Sequence, residues 1–241
     1  MTKTAVILGV GPVEGLGAYL AMKAAEEGLH VIVSGRTQTN LDAVVEIVSS
    51  NGAQATGIVA DATDLSSVRT LIKKAEAIGP IDLAIYNAGN NFPGNFLTMD
   101  AEYFENAWRV CTLGGFLFAQ TTLKAMQEKA AGTLIFTGAS ASMRGKPNFA
   151  AFTAAKAGLR TMAQSLAREF HPQGIHVGHI VIDGGIMGEK VVTAYPKFVE
   201  MAGEDGLIGL TGISEAYMYL YRQPRNAWTL EMDLRTHKEN F

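Results

Sequence analysis

Short runs of β-branched and aliphatic residues alternate with longer alanine-rich or amphipathic segments along the whole chain. This alternation predicts repeated strand–helix–strand units and a buried parallel sheet, because parallel strands are joined by crossover helices. The predicted strands lie near Ala5–Gly9, His30–Ser34, Gln54–Ala60, Leu83–Tyr86, Thr133–Thr137, Ile175–Ile182 and Trp228–Leu234. The predicted helices lie at Gly15–Glu27, Asn40–Ser50, Leu65–Ile78, Glu102–Glu128, Phe149–Phe170 and Ile213–Tyr221. Asp64 and Asp100 are predicted to cap two of these helices.

The length of the chain and its composition exclude several kinds of partner. With 241 residues and no linker, internal repeat or low-complexity tract, residues 1–241 are expected to form a single domain. The formal net charge of −3 gives no general attraction to nucleic acid or anionic lipid. No stretch supplies the roughly 18 apolar residues of a membrane span, and a single cysteine, Cys111, excludes an internal disulfide. We therefore expect a cytoplasmic protein with no nucleic-acid or membrane partner.

The segment GVGPVEGLG comes after the first predicted strand and opens the first predicted helix. Gly11, Gly15 and Gly17 allow a tight turn, close approach of a pyrophosphate, and a helix start whose amides face that anion. The spacing departs from GxGxxG, since Glu14 stands where the third glycine would fall. In its strand–turn–helix setting the segment still predicts a dinucleotide site. The expected fold class is therefore α/β: a single doubly wound Rossmann-type domain, with a parallel sheet of about seven strands and helices on both faces.

Several sequence motifs, in their order along the chain, resemble those of the short-chain dehydrogenase/reductase family. The glycine turn is similar to the family's TGxxxGxG, with Val10 in place of the threonine. DATD at 61–64 and NAG at 87–89 follow in the family's order, and FTAAK at 152–156 stands in place of YxxxK. DGGI at 183–186 stands where the family usually has a Pro-Gly turn. The resemblance covers nearly the whole chain.

This resemblance implies cofactor contacts for six residues. They are Asp61 and Ala62 at the adenine end, Asn87, Ala88 and Gly89 along the cofactor cleft, and Lys156 at the nicotinamide ribose. Taken singly, each residue could have an ordinary structural role, in a turn, in a loop or as a solvated lysine on a helix. The ordered set favours dinucleotide binding.

The second predicted strand is followed by an arginine and not by an acid. In VIVSGRT, Arg36 stands where an acidic residue would bind the 2′-hydroxyl of an adenosine ribose. Arginine forms a forked, charge-assisted contact with phosphate, so NADP(H) is favoured and NAD(H) remains possible. Glu14 opposes this preference, since the resemblance implies a basic residue before the second glycine in many NADP-binding members.

Hydride transfer to a carbonyl leaves negative charge on oxygen, so a hydrogen-bond donor and a proton are needed there. The resemblance implies a tyrosine that delivers the proton, a serine that holds the oxygen, an asparagine that supports a water relay, and a lysine. The usual tyrosine position is Phe152, the serine position is Ala139, and the asparagine position is Cys111. Lys156 alone is retained.

Other residues are candidates for the missing hydroxyls. A shift of one residue presents Ser140 to the site, and Ser142 lies close by. Tyr86 and Tyr195 are possible phenols, although each has an ordinary packing or surface interpretation. No metal site is predicted, because the histidines lack ligand spacing. These histidines are His171, His176 and His179.

The glycine-rich segment 184–212 comes after the sixth predicted strand and is interpreted as a substrate-side lid or as a surface excursion. Two functions remain open. One is an NADP(H)-linked oxidoreductase for a small carbonyl or activated double bond, with Lys156 and Ser140 or Ser142 assisting. The other is a cofactor-binding protein without turnover, in a redox-sensing or scaffold role. The resemblance also implies a homodimer or homotetramer.

Overall fold

The computed structural model describes residues 2–89, 91 and 93–239, and this part of the chain forms one seven-stranded parallel sheet. The strands are β1 Thr4–Leu8, β2 His30–Gly35, β3 Ala55–Val59, β4 Ile81–Tyr86, β5 Thr133–Thr137, β6 His176–Ile182 and β7 Glu231–Leu234. They are arranged in the order β3-β2-β1-β4-β5-β6-β7. The order changes direction between β1 and β4, which is where open α/β sheets bind ligands. The predicted doubly wound sheet of about seven strands is confirmed.

Helices cover both faces of this sheet. They are α1 Leu16–Glu26, α2 Gln38–Ser50, α3 Leu65–Ile78, α4 Ala101–Trp108, α5 Gly114–Gln127, α6 Ala150–Phe170, α7 Glu189–Ala194, α8 Pro196–Ala202 and α9 Leu210–Tyr221. Ala5 and Ile7 of β1 pack into the core on the side of α1, α2 and α9. Val6 and Leu8 pack into the core on the side of α3, α5 and α6. The period-two burial of a central strand thus builds two apolar layers.

Two predicted elements differ from the structure. The predicted helix Glu102–Glu128 is divided into α4 and α5 by a π-helical segment, Arg109–Leu113. A π-helical turn takes up one residue more than an α-helical turn, and the residue pattern alone does not show it. The predicted last strand from Trp228 begins only at Glu231. Trp228 precedes the strand, and its ring stacks on that of His176 with centroids 4.9 Å apart.

Two predicted helix starts are confirmed by their caps. The Asp64 carboxylate accepts hydrogen bonds from the backbone amides of Ser66 and Ser67. The Asp100 carboxylate accepts one from the amide of Glu102. Each cap satisfies donors that the first helical turn leaves without partners. Among the described helices, none combines the length and the apolarity that crossing a bilayer requires.

The segment 184–212 leaves the carboxyl end of β6, forms α7 and α8, and rejoins the main body at α9. Its two ends are joined by backbone hydrogen bonds. Ile208 N donates to Gly185 O at 2.8 Å, and Met187 N donates to Ile208 O at 2.9 Å. Neither α7 nor α8 contains a buried residue. The segment is therefore closed at its base, where Leu207, Ile208 and Leu210 are buried, while α7 and α8 lie outside the core.

Candidate active site

A cleft of about 530 Å³ opens at the carboxyl edge of the sheet, where the strand order changes direction. The residues proposed from the sequence for cofactor contact line it, together with Ser140 and Phe152 of the proposed reaction centre. They are Gly11, Gly15, Gly17, Arg36, Asp61, Ala62, Asn87, Ala88, Gly89, Ser140, Phe152 and Lys156. These residues come from the turns after five strands and from α6, and they meet because the carboxyl ends of parallel strands share one edge.

The glycines after β1 have two different environments. Gly9 has a φ of +110°, and a Cβ there would lie 2.4 Å from the backbone nitrogen of Ala88. A Cβ on Gly17 would lie 2.8 Å from Val10 Cα. A Cβ on Gly11, in contrast, would meet no atom within 4 Å. Gly9 and Gly17 therefore permit close packing of backbone segments, whereas Gly11 leaves open space on the side of the cleft.

Charged side chains lie at the outer end of the cleft. Arg36 is exposed and makes no hydrogen bond or ion pair to another described residue. The Asp61 carboxylate accepts hydrogen bonds from the amide and the hydroxyl of Thr63, both at 2.8 Å. Glu14 is exposed, and its carbonyl oxygen accepts a hydrogen bond from Glu189 N at 2.8 Å. The Arg36 guanidinium is thus available to an anion.

A chain of side-chain hydrogen bonds joins the interior to the glycine turn. Asn87 Nδ2 donates to Gly9 O at 2.9 Å, and Asn87 Oδ1 accepts from the Thr137 hydroxyl at 3.0 Å. Tyr217 OH lies 2.7 Å from Thr137 Oγ1. Because the Thr137 proton is given to Asn87, Tyr217 is the donor in this pair. Sequence reasoning missed Thr137 and Tyr217, and the one available signal is a hydroxyl at the end of the apolar strand TLIFT.

Lys156 is the buried cation of the site, with 4% of its surface exposed. Its Nζ donates to Thr137 O at 2.7 Å and lies 5.8 Å from the centroid of the Phe152 ring. A Cβ on Gly89 would lie 3.3 Å from the same Nζ. Burial lowers the pKa of Lys156, since desolvation disfavours the ammonium form. The amine is therefore held between β5, the NAG turn and an aromatic ring that carries no hydroxyl.

Of the other residues proposed for the reaction centre, some line the cleft and others are buried in the core. Ala139 and Ser140 line the cleft, at the start of a 3-10 turn that spans Ser140–Ser142. Ser142 is buried, and its hydroxyl donates to Ala139 O at 2.7 Å. Cys111 is fully buried within the π-helical segment. Of the two candidate serines, Ser140 is the one that lines the cleft.

The two candidate tyrosines also lie in different places. Tyr86 is fully buried, its hydroxyl donates to Val110 O at 2.5 Å, and burial raises its pKa well above the usual value. Tyr195 lines the cleft and is 40% exposed. Tyr86 is therefore a packing residue of the core, whereas the phenol of Tyr195 is accessible from the cleft.

The histidines lie outside the cleft lining. His171 and His176 pack against Trp228, with centroids 5.2 and 4.9 Å from its ring. His179 Nδ1 lies 3.0 Å from a Glu231 carboxylate oxygen, and burial lowers the pKa of His179 to about 4. Across residues 2–89, 91 and 93–239, no group of three His, Cys, Asp or Glu side chains is arranged to hold a metal ion.

The first part of the segment 184–212 borders this cleft. Its residues in the lining are Gly184, Gly185, Ile186, Gly188, Glu189, Lys190, Val191 and Tyr195. The hydrogen bond from Glu189 N to Glu14 O attaches the start of α7 to the glycine turn. We refer to residues 184–212 as the lid.

Comparisons with known proteins identify the family and the fold. A sequence model of the family described as short chain dehydrogenase matches residues 3–190. A curated short-chain dehydrogenase/reductase of Armillaria gallica is 30% identical over 179 residues, which are 73% of this chain and 68% of the relative. A solved short-chain dehydrogenase from Rhodopseudomonas palustris is 31% identical with a TM-score of 0.83, covering 98% of this chain and 99% of that one.

A second solved structure shares the fold at lower identity. It is a variant of actinorhodin polyketide ketoreductase with NADPH, 21% identical with a TM-score of 0.88, and the match covers 99% of this chain and 98% of that one. The family sequence model spans most of the chain, including the glycine turn, the NAG turn and Lys156. The protein therefore belongs to the short-chain dehydrogenase/reductase family.

Proposed function

We propose that this protein is an NADP(H)-dependent oxidoreductase with a non-standard reaction centre, acting on a small carbonyl or an activated double bond. The main support for this function is the buried Lys156 amine, which donates a hydrogen bond to Thr137 O in the same cleft as the glycine turn and Arg36. The residues present fit a dinucleotide, because Gly11 leaves space for an anion at the backbone and Arg36 is an available cation. The NADPH carried by the structurally similar ketoreductase supports the same assignment.

Each cleft residue has a role that its position supports. The Lys156 amine binds the ribose nearest the reacting carbon, and Ser140 donates a hydrogen bond to the substrate oxygen. A bound nicotinamide supplies the hydride. Phe152 and Ala139 carry no hydroxyl, so the proton comes from Tyr195 or from water beside Lys156. With fewer donors for a developing oxyanion, this site reduces ordinary carbonyls slowly.

A second function is favoured by the surroundings of Phe152. The ring packs against a small buried cluster that consists of Ala107, Cys111, Ala151 and Ala155. A cofactor-binding protein without turnover would retain Lys156 for the ribose and lose the hydroxyls of the reaction centre. In that case the nucleotide-bound form would act as a redox sensor or a scaffold.

Substrate-dependent NADPH oxidation distinguishes the two functions. A panel of small aldehydes, ketones and enones should contain substrates for the wild type, and Lys156→Met should lower kcat/KM by about 10- to 100-fold. This is the factor expected for one charge-assisted hydrogen bond. Lys124→Met, an exposed site on α5, is the matched control and should leave kcat/KM unchanged. Tight NADPH binding without turnover of any substrate would support the binding protein instead.

The preference for NADPH over NADH should be modest and should depend on Glu14. Two unit charges about 6 Å apart interact by about 3 kcal/mol at an effective dielectric of about 20. Repulsion between the Glu14 carboxylate and the 2′-phosphate of NADPH therefore offsets much of the binding free energy that Arg36 contributes. Glu14→Lys should widen the ratio of NADH to NADPH dissociation constants by about tenfold in titration calorimetry. Glu46→Lys, the same charge change on the exposed face of α2, should not alter it. Tighter binding of NADH by the wild type would contradict the assignment.

We also infer a cytoplasmic homodimer or homotetramer. Three large apolar side chains on α4 and α5 are exposed, namely Phe104, Trp108 and Phe116. A second copy of the chain would cover them, since contiguous exposed apolar surface favours association. A monomer in sedimentation velocity at micromolar concentration would contradict this inference.

A further inference from the structure

A fully buried carboxylate lies at the root of the lid. Asp183 comes directly after the last residue of β6, and its side chain has 0% of its surface exposed. Its backbone N donates to Leu234 O at 2.8 Å, which attaches it to the end of β7. Its Oδ1 accepts a hydrogen bond from Arg144 Nη2 at 2.6 Å. A buried carboxylate is costly unless it is paired, so this contact fixes the position of Asp183 strongly.

The second carboxylate oxygen of Asp183 has weaker support. Oδ2 is buried and has no hydrogen-bond partner within the described residues, and Arg235 Nη2 lies 3.6 Å away. Arg144 thus makes the closer of the two ionic contacts of this carboxylate, and the one that includes a hydrogen bond.

Arg144 belongs to the turn that carries Ser140. Its backbone N donates to Ser140 O at 3.0 Å and closes that turn. Its guanidinium lies 3.7 Å from Glu239 Oε1 in addition to its bond with Asp183. The Asp183–Arg144 ion pair thus joins the root of the lid to the turn at the reaction centre.

The far end of the lid is held by the buried side chains of Leu207, Ile208 and Leu210, whereas its start depends on the backbone after Asp183. Gly184, directly after Asp183, has a φ of +154° and lines the cleft together with Gly185. Beyond them, the amide hydrogen bonds of Met187, Ile208 and Glu189 join the base of the lid and attach α7 to the glycine turn. Because α7 and α8 bury no residue, we expect a displacement at the root to weaken these three bonds.

We propose that Asp183 is a positioning residue whose ion pair with Arg144 sets the root of the lid against the Ser140 turn and so keeps the lid closed over the cleft. The effect on nucleotide affinity rests on the proposed NADP(H) site. The effect on the lid itself does not depend on that site, because the three backbone hydrogen bonds form in the protein without a nucleotide.

Asp183→Asn removes the charge and keeps the shape. Amide exchange measured by NMR should become about tenfold faster at Met187, Ile208 and Glu189 than in the wild type, while amides of β1 and β4 keep their relative protection. The NADPH dissociation constant should rise by about tenfold, because a smaller fraction of the protein has a closed lid. Arg144→Gln should reproduce both effects, and the double variant should add little to either.

Asp82→Asn is the matched control. Asp82 lies near the start of β4, at the amino-terminal ends of the strands and away from the cleft. Its carboxylate pairs with Lys3 Nζ at 3.1 Å and accepts a hydrogen bond from Tyr221 OH at 2.6 Å. The same substitution there should lower the melting temperature and leave the three lid amides and the NADPH affinity unchanged.

The proposal is overturned if Asp183→Asn and Arg144→Gln lower stability as Asp82→Asn does, with lid exchange and NADPH affinity at wild-type values. If Asp183→Asn does not fold, Arg144→Gln decides the question, because 31% of that side chain is exposed. Absence of NADPH binding by the wild type would contradict the proposed function, and the exchange rates would then decide the positioning role alone.

Discussion

Replacing Phe152 by tyrosine raises the rate of NADPH-dependent carbonyl reduction by about 10²–10⁴-fold, which is the usual contribution of a positioned general acid. The Phe152 ring lines the cleft, and its centroid lies 5.8 Å from Lys156 Nζ. A phenol on that ring has a nearby ammonium, which lowers the pKa of the phenol and favours proton transfer near neutral pH. Steady-state kinetics with small ketones and aldehydes measures the gain.

Phe149→Tyr is the control for this experiment. Phe149 directly precedes α6, is half-buried, and lies outside the cleft lining, so a hydroxyl there should leave the rate unchanged. Adding Ala139→Ser to Phe152→Tyr supplies a second donor for the carbonyl oxygen and should raise kcat further. A rate that stays at the wild-type value in both variants would mean that the reaction centre is not the cleft around Lys156.

Replacing Gly9 by alanine lowers the free energy of unfolding by about 3 kcal/mol or more. The new Cβ would lie 2.4 Å from Ala88 N and 2.5 Å from Asn87 C, and the φ of +110° is one that alanine rarely adopts. Both contacts are with backbone, so relief requires separation of the turns after β1 and β4. The melting temperature should fall by roughly 6–12 °C, and NADPH affinity should fall with it because the glycine turn moves.

Gly11→Ala separates these two effects. A Cβ at position 11 meets no protein atom within 4 Å, so the melting temperature should stay close to that of the wild type. Because Gly11 lines the cleft, the added methyl group should weaken NADPH binding by occupying space that a pyrophosphate needs beside the backbone. Unchanged affinity in Gly11→Ala would show that no phosphate approaches the backbone at this turn.

The sheet and most helices were predictable because their signals are local. Alternation of apolar runs sets the strands, and Asp64 and Asp100 mark helix starts whose capping bonds the structure contains. The residues of the cleft were also predictable as a set, since most of them come directly after a strand and the carboxyl ends of parallel strands converge. No long-range contact had to be known for these inferences.

Other features depend on contacts between residues distant in the chain. The bond from Tyr217 to Thr137 joins α9 to β5 across 80 residues, and nothing near either residue signals it. Whether Ser140 or Ser142 faces the cleft depends on the Ser142 hydroxyl turning back to Ala139 O. Tyr86 and Tyr195 are equivalent candidates in sequence, and only packing separates the core phenol from the one in the cleft.

The π-helical segment between α4 and α5 changes the helical phase of α5 relative to α4. Each residue of an α-helix turns the chain by about 100°, so Phe116, eight residues after Trp108, would lie about 80° away from it on an uninterrupted helix. One residue absorbed by Arg109–Leu113 leaves an effective spacing of seven, which returns Phe116 to within about 20° of Trp108. Trp108 and Phe116 therefore lie on one face because the π-helical segment contains one extra residue. Deleting one residue from that segment would place the two side chains on different faces.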